Sequence, residues 1–302
     1  MKIKENLKSL LIPVSGLLFV FFILLGMIYF FVPDNIDNFL SIQNLKTVLK
    51  QTVIVGIGAM AMTMIIVSGG IDLSAGSVVA LTAVFCAHCV NWLNGEILIF
   101  GIFPVPVLFA ILVGAIIGFL NGTISARLNI APFIVTLGMM LIARGLAEGF
   151  ADQSVVRTPD NWLKTLMMRE PNQKWLFFAP GVWINFILFL LTMLLLRCSV
   201  FGRYIYALGA NEEASTFSGI NIIRYKILIY TIGGAVFGLA GVMSYAEIGD
   251  GDPTTAIALE LDIIAAVVIG GASLSGGRGS ALGSLIGALI ITLLYNGCVM
   301  LR

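Results

Sequence analysis

Charged residues are scarce in this chain. Of its 302 residues, 59% are hydrophobic and 11% are charged, whereas about a quarter of the residues in a soluble domain carry charge. Too few polar side chains are available to cover a water-facing surface, which indicates that lipid is the surrounding solvent. The net charge of +1 gives no electrostatic case for binding nucleic acid, so we expect none.

Residues that build soluble catalytic and metal sites are also few. His88 is the single histidine, which excludes an H-E-x-x-H motif, and the sequence contains no G-x-x-x-x-G-K-[ST] motif for nucleotide phosphates. No G-x-S-x-G elbow occurs in a strand-to-helix setting. We therefore predict that the chain is not an enzyme and has no catalytic residues.

The four cysteines do not form a disulfide framework. They are read as small apolar residues: Cys86, Cys89, Cys198 and Cys298. Cys86 and Cys89 would share one helix face, but a zinc site needs further ligands, so we expect no metal and no cofactor. His88 lies near a predicted external helix end, where we expect it to bond to backbone or interfacial water.

Long apolar segments dominate the chain. The first runs from Leu10 to Val32, which is long enough to cross roughly 30 Å of hydrocarbon as a helix. Because it lacks an A-x-A cleavage pattern, we predict a retained transmembrane helix whose N-terminal lysines stay in the cytoplasm. Further apolar segments occupy 45–67, 75–93, 103–126, 132–150, 182–197, 226–246, 259–272 and 280–300. The fold class is thus an all-α, polytopic membrane protein with nine to ten segments, in a single transmembrane domain over 1–302.

The distribution of charge supports this orientation. Alternating spans place basic positions inside, at Arg127, Arg203, Arg224, Lys226 and Arg278, as the positive-inside rule requires. They place acidic positions outside, at Asp34, Asp37, Glu247, Asp250 and Asp252, together with the short loop NGEILIFG. Residues 151–181 form an external loop of mixed charge, with a surface helix expected around NWLKTLMM. The same alternation puts Arg302 outside.

Two glycine-rich breaks resemble each other. GGIDLSAGSVVAL (69–81) and GGASLSGGRGSALGSL (270–285) match at four of their first six positions with a constant offset. Glycine-interrupted segments repeated in two halves indicate a transport path, and irregular backbone within a membrane must be buried in protein or line a water-filled cavity. We predict that both breaks lie in the bundle interior or along a pore. The candidate translocation-path residues are Gly69, Gly70, Asp72, Ser74, Ser77, Gly270, Gly271, Ser273 and Ser275.

Asp72 has two interpretations beside the first break. An aspartate facing lipid at a helix centre costs about 2.5–3.5 kcal/mol or more, so a protein-lined interior is expected in either case. In the first, the carboxylate caps a helix that begins near Ser74–Ala75 and meets the positive end of its dipole. In the second, Asp72 or its neighbours contact a polar solute or form a gate.

The stretch 198–226 is the most polar of the predicted cytoplasmic segments. Gly209 and Asn211 indicate a helix start, the two glutamates that follow suit the first turn, and Gly219 ends the helix. We therefore predict one short helix between two transmembrane helices. It is either a solvated connector or a docking surface for a cytoplasmic partner.

Four motifs taken together resemble the permeases of ribose-type sugar ABC importers, a family that includes ribose, xylose, arabinose and galactoside permeases. They are GGIDLSAGSVVAL, NGTISARLNIAPFIVTLGMMLIARG, FGRYIYALGANEEASTFSGINIIRYK and VVIGGASLSGGRGSALGSLIGALI. The resemblance implies a multi-pass subunit of the bacterial cytoplasmic (inner) membrane that moves a sugar. It implies a pore formed with a second permease subunit, of the same or a related chain, and embedded in membrane lipid. It further implies cytoplasmic ATP-binding subunits that hydrolyse ATP, and an extracytoplasmic solute-binding protein.

The resemblance also implies roles for particular residues. Residues 209–220 would be the coupling helix that touches the ATPase, and 198–226 the coupling loop around it. Its coupling residues would be Gly209, Asn211, Glu212, Glu213, Ala214 and Gly219. In the family one more hydrophobic helix and a short charged tail follow the segment that ends here in LLYNGCVMLR.

Other functions remain open. Branched-chain amino acid permeases share the broad architecture, so the solute is a ribose-type sugar or another small molecule such as a branched-chain amino acid or an autoinducer. A secondary transporter or channel that needs no ATPase would also suit broken helices, and it should tolerate charge reversal at Glu212 and Glu213. A membrane-embedded enzyme ranks last, because the sequence shows no cluster of convergent titratable residues.

Overall fold

A computed structural model describes residues 2–93, 98–99, 103–171 and 176–302, and the side chains of 13–93, 104–171 and 176–302. Twelve α-helices occupy most of this described part. The first six are α1 (Lys2–Phe31), α2 (Ile36–Phe39), α3 (Ile42–Val67), α4 (Ala75–Trp92), α5 (Val105–Leu128) and α6 (Pro132–Phe150). The other six are α7 (Pro180–Cys198), α8 (Val200–Ala210), α9 (Glu212–Phe217), α10 (Ile222–Ile248), α11 (Leu259–Ile269) and α12 (Ala281–Met300).

Eight of these helices are long and apolar enough to cross a membrane: α1, α3, α4, α5, α6, α7, α10 and α12. The chain is therefore a multi-pass membrane protein, as its composition predicted. Of the described strands, β1 (Leu98–Ile99) pairs antiparallel with β2 (Phe103–Pro104). They form a small hairpin before α5 and do not change the all-α class.

The segment predicted at 259–272 contains a shorter helix than the other spans. Helix α11 has 11 residues, which cover about 16 Å, roughly half of the hydrocarbon thickness. Ala258 adopts a left-handed conformation immediately before it, with φ of 63°, and the glycines at 270 and 271 follow its end. Since neither flank continues the helix, this segment is a half-helix that enters the bundle.

The core of the bundle is built on α3, α4 and α10. Helices α3 and α4 are mostly buried, and α10 packs against both of them and against α5. Helix α1 packs mainly against α12 and leaves large apolar side chains exposed, such as Phe22 and Phe30. In lipid such an apolar surface needs no further cover.

Glycines let α5 and α10 approach closely. Gly114, Gly118 and Gly122 follow one face of α5, and Gly234 and Gly238 face them from α10. A Cβ on Gly118 would strike the carbonyl oxygen of Tyr230, and one on Gly234 would strike that of Gly114. Small residues at such a crossing allow backbone contact where no hydrophobic effect drives association, so α5 and α10 pack closely together here.

Gly118→Leu should destabilise the bundle by about 1–3 kcal/mol, the usual cost of overpacking. Helix α10 would have to move away from α5, because backbone atoms and not flexible side chains occupy the space. The measurement is thermal unfolding of the purified protein in detergent. Gly138→Leu on α6 is the matched control, since no atom lies within 4 Å of a Cβ there; equal shifts for both variants would contradict the argument.

The loop that follows α6 folds against the end of α10. Val156 and Gly251 form an antiparallel bridge, and the Thr158 hydroxyl lies 2.8 Å from that of Tyr245. The helix expected around NWLKTLMM is present as a 3-10 helix, Trp162–Met167. Residues 172–175 of the predicted loop 151–181 lie outside the described residues, as does most of NGEILIFG.

His88 behaves as the sequence predicted. Its Nε2 lies 2.8 Å from the carbonyl oxygen of Phe150, which links α4 to the end of α6. Cys86 and Cys89 are buried in α4. Within the described part of the chain, no group of three or more His, Cys, Asp or Glu side chains could hold a metal ion.

Candidate functional site

In the first break, residues 68–74, the side chain of Asp72 forms hydrogen bonds with Ser74. Its Oδ1 accepts hydrogen bonds from the backbone nitrogen of Ser74, at 2.8 Å, and from the Ser74 hydroxyl, at 2.6 Å. The Asp72 side chain is buried, with 1% of the residue exposed. Helix α4 begins at Ala75, so the predicted interior position and the capping contact are both confirmed, and contact with a solute stays a prediction.

Side chains from three other helices hold this break in place. Asn121 of α5 donates to the Ser74 hydroxyl at 3.0 Å, and the Thr136 hydroxyl of α6 accepts from the backbone nitrogen of Leu73 at 3.1 Å. Tyr230 of α10 donates to the carbonyl oxygen of Ile71 at 3.3 Å. The irregular backbone is therefore satisfied by protein, as membrane depth requires.

The second break, residues 270–280, is a compact glycine turn. The backbone nitrogen of Ser273 donates to the carbonyl of Arg278, and that of Gly276 donates to the carbonyl of Ser273, both at 3.0 Å. Gly276, Gly277 and Gly279 have positive φ angles of 81°, 72° and 158°, a region that glycine enters without a steric cost.

The second break is more exposed than the first, and its predicted position in the bundle interior or along a pore stays a prediction. Ser275 is exposed and its hydroxyl lies 2.7 Å from that of the half-buried Ser273. Gly271 is also exposed, whereas Gly270 packs against the backbone of Gly283. Gly276 and Gly279 replace Ala75 and Val78 at the equivalent positions after the first break, and Gly277 is equivalent to Gly76, which is already in α4.

The two breaks meet each other and the end of α8. The backbone nitrogen of Gly277 donates to the carbonyl oxygen of Val67 at 2.9 Å. A Cβ on Gly276 would lie 2.9 Å from the Cα atoms of both Gly69 and Gly209. We call the set Val67, Gly69, Gly209, Gly276 and Gly277 the junction.

Gly209 occupies the centre of the junction. A Cβ on this residue would strike the Val67 carbonyl oxygen and lie 2.5 Å from the Gly277 nitrogen. One turn earlier in α8, the Tyr206 hydroxyl donates to the Gly279 carbonyl at 2.8 Å. Partial burial raises the pKa of the Tyr206 phenol, so it stays protonated and keeps donating at neutral pH.

A polar cavity of about 540 Å³ opens beside the junction. Its lining residues are Gly209, Ala210, Ser273, Ser275, Gly276, Gly277 and Arg278. The cavity thus joins residues of the second break to the end of α8. Asp72, Ser74 and Ser77 are not among them, because they are buried in and around the start of α4.

The loop 198–226 holds two helices where one was predicted. Helix α8 was missed, because its apolar residues continue the pattern of α7 past the turn at Ser199, whose side chain caps α8 through Gly202. Helix α9 begins and ends as expected: the Asn211 side chain accepts from the Ala214 nitrogen at 2.9 Å, and Gly219 follows it with φ of 81°.

The surface of α9 is polar and open. Glu212 pairs with Lys226 at 2.7 Å, while Glu213 and Ala214 are exposed. Phe217 is 91% exposed at the end of the helix. Aromatic rings are enriched at protein interfaces, so an exposed one suits contact with another protein.

The comparison with known proteins agrees with this architecture. A family model described as "Branched-chain amino acid transport system / permease component" matches residues 44–301. The ribose import permease RbsC of Escherichia coli strain K12 is 40% identical over 87% of this chain and 80% of its own length. No solved structure matches the chain at a significant level.

Two further relatives carry other sugar names. The fructose import permease FrcC of Rhizobium meliloti is 36% identical over 84% of this chain and 70% of its own length. The L-arabinose ABC transporter permease AraH of Azospirillum brasilense is 33% identical over 93% of this chain and 78% of its own length. Both the family model and these relatives cover most of the chain, and the chain belongs to this family of ABC transporter permeases.

Proposed function

We propose that the chain is the membrane-spanning subunit of an ATP-driven importer that moves a ribose-type monosaccharide across the bacterial cytoplasmic membrane. The contact of Gly209 with both helix breaks carries this proposal. It links a polar surface helix to the irregular backbone inside the bundle without any flexible side chain between them. The relatives named for ribose, fructose and L-arabinose support a monosaccharide over a branched-chain amino acid or an autoinducer.

In this mechanism α8 and α9 are the coupling element. Partner ATP-binding subunits dock on α9, and their closure on ATP displaces α8. The displacement reaches Val67 and Gly277 directly, because Gly209 touches the backbone of both residues. The two breaks then shift together and open or close the polar cavity beside the junction, which is the exit for solute into the cytoplasm.

The remaining partners follow from the same proposal. A second permease subunit, identical or related, completes the pore. A solute-binding protein delivers the sugar at the opposite membrane face, near 151–181 and 247–258. The path residues proposed from the sequence keep this role at the two breaks, with Asp72 and Ser74 shaping the first and Ser273 and Ser275 lining the exit.

Glu213→Lys combined with Phe217→Ala should remove most of the ATP-binding subunit that co-purifies with the tagged chain, a loss of about tenfold or more. Glu213 is preferred to Glu212, because reversal of Glu212 would also break the Lys226 pair. The measurement is the amount of ATPase recovered per permease, together with ATP-dependent uptake.

The matched control for the amount of ATPase recovered, and not for uptake, is Asp160→Lys, a reversal on the loop before the 3-10 helix, at a side chain that is almost fully exposed. Its surface ion pair with Lys164, at 3.5 Å, contributes little. A secondary transporter would tolerate the α9 changes and transport without ATP, so unchanged uptake in the α9 variant would refute the coupling assignment.

A further inference from the structure

A second polar cavity lies at the other end of α3, about 20 Å or more along the helix axis from the junction. Its volume is about 460 Å³, and it lies between the start of α3 and the end of α12. The lining side chains used below are Asn38, Gln43, Thr47, Gln51, Tyr295 and Asn296. We call this space the amide cavity.

Asn296 lines this cavity and carries a buried acceptor without a partner. The residue is 6% exposed, and its Nδ2 donates to Asn44 Oδ1 at 2.8 Å. Asn44 in turn donates to the carbonyl of Phe39 at 3.0 Å, which fixes the orientation of both amides. The Asn296 Oδ1 is buried without a hydrogen-bond partner, and such an atom is costly unless a ligand or water fills the position.

Tyr295 presents an aromatic ring at the edge of the cavity. The residue is 57% exposed, and its hydroxyl donates to Asp262 of α11 at 3.2 Å. The next residue, Ile263, packs against Gly58 in the middle part of α3, so Asp262 lies at membrane depth. A carboxylate at that depth is costly against acyl chains, which indicates that this face looks onto water or protein.

The chemistry of the cavity suits a polyol. Amides and hydroxyls both donate and accept, as sugar hydroxyls do, and an aromatic ring can cover the apolar face of a sugar ring. Arg169 is a cationic lining residue, and none of the described lining residues is acidic. An amino acid would therefore find no carboxylate in the wall for its ammonium group.

We propose that the amide cavity is the sugar-binding site at the outer mouth of the permease, with Tyr295 stacking on the sugar ring and the polar lining side chains, Asn296 among them, binding its hydroxyls. This inference rests on the proposed function and deepens it by naming the position where the solute first binds. Thr47 and Gln51, one turn apart on α3, continue the lining of this site along the helix.

The test uses the complete importer with its ATP-binding and solute-binding subunits. Uptake of tritiated D-ribose, D-fructose and L-arabinose is first measured for the wild-type chain. The sugar that it imports is then used to compare the variants. For that sugar, Tyr295→Ala should raise KM about tenfold and Tyr295→Phe about threefold, because the ring is lost in the first and kept in the second. The maximal rate should change little, since α8 and the junction are untouched.

The matched control is Tyr29→Ala, which removes a ring of similar exposure, 62%, from α1. If Tyr295→Ala and Asn296→Leu gave the same KM as this control while the wild type imported the sugar, the site assignment would be overturned and the importer function kept. Import of none of the three sugars overturns the monosaccharide assignment and this site with it.

A labelling experiment tests the site without relying on a transport defect. Thr47→Cys is made in a chain in which Cys198→Ser and Cys298→Ser remove the exposed cysteines. A membrane-impermeant maleimide added outside should label this cysteine, and a saturating concentration of the imported sugar should slow labelling about fivefold or more. Labelling at an unchanged rate in the presence of sugar overturns the proposal.

Discussion

Replacing Gly209 with alanine should reduce ATP-dependent uptake about tenfold or more, although the same change stabilises an ordinary helix by about 0.5–1 kcal/mol. The reason is the junction. An added Cβ would strike the Val67 carbonyl oxygen and crowd the Gly277 nitrogen, which are the two atoms of the 2.9 Å hydrogen bond between the breaks. Either α8 moves away or that bond opens.

Both outcomes uncouple the surface helix from the transport path. We therefore expect the partner ATPase to bind and hydrolyse ATP in the Gly209→Ala variant while the solute stays outside. A bulkier residue such as leucine should enlarge the effect, and the larger side chain should not prevent membrane insertion, because α8 is not one of the spanning helices.

Gly145→Ala on α6 is the matched control. Gly145 is also helical, and no atom lies within 4 Å of a Cβ built on it. The comparison measures uptake and ATP hydrolysis for both variants in the complete importer. Normal coupling in Gly209→Ala would show that the contact with Val67 and Gly277 does not transmit motion.

Asp72→Leu should lower the free energy of unfolding by about 2–3 kcal/mol, because the Ser74 nitrogen and hydroxyl would both lose their acceptor in a buried site. Asp72→Asn keeps an oxygen at the Oδ1 position and should cost about 1 kcal/mol or less. Thermal unfolding in detergent measures the stability, and uptake per folded molecule measures the function.

The exposed turn at Asp252 provides the control. Its Oδ1 accepts from the Thr254 nitrogen at 2.8 Å and from the Thr254 hydroxyl at 2.7 Å, the same pattern in a more exposed position. Asp252→Leu should cost little, since water replaces the lost acceptor. Equal losses at both sites would contradict the role of burial.

The same variants separate the two interpretations of Asp72. If the carboxylate only caps α4, uptake by Asp72→Asn follows the amount of folded protein. If it contacts the solute or gates its path, uptake per folded molecule falls while stability is kept. Normal uptake by folded Asp72→Asn would refute a functional role for the charge.

The composition and apolar segments of the chain were sufficient to predict its membrane location and eight of its helices. The thickness of the hydrocarbon core sets a simple rule, because a helix that spans it must be apolar and about 20 residues long. The rule fails for 259–272, because a half-helix and a full span have the same composition. The left-handed Ala258 before α11 and Gly271 after it show that the helix has only 11 residues.

Local signals also predicted the caps. Asn211 before two glutamates and Gly219 after Phe217 mark α9, because capping depends on atoms a few residues apart. Helix α8 was missed for the same reason: its separation from α7 depends on one serine cap in an otherwise apolar sequence. Asp72 was correctly placed in the interior, since the cost of a carboxylate in lipid excludes the alternative.

The sequence by itself determined a helical membrane bundle with two related breaks and a polar loop. Only the tertiary structure decided that these three parts touch, because Val67, Gly209 and Gly277 are far apart in the chain. A glycine also has no side chain from which its contacts could be predicted. The tertiary structure alone also shows that, of the many aromatic and amide residues in the chain, Tyr295 and Asn296 line the amide cavity. Local sequence controls the hydrogen bonds that backbone groups make within a few residues, such as helix caps. Contacts between distant parts of the chain depend on which helices pack together.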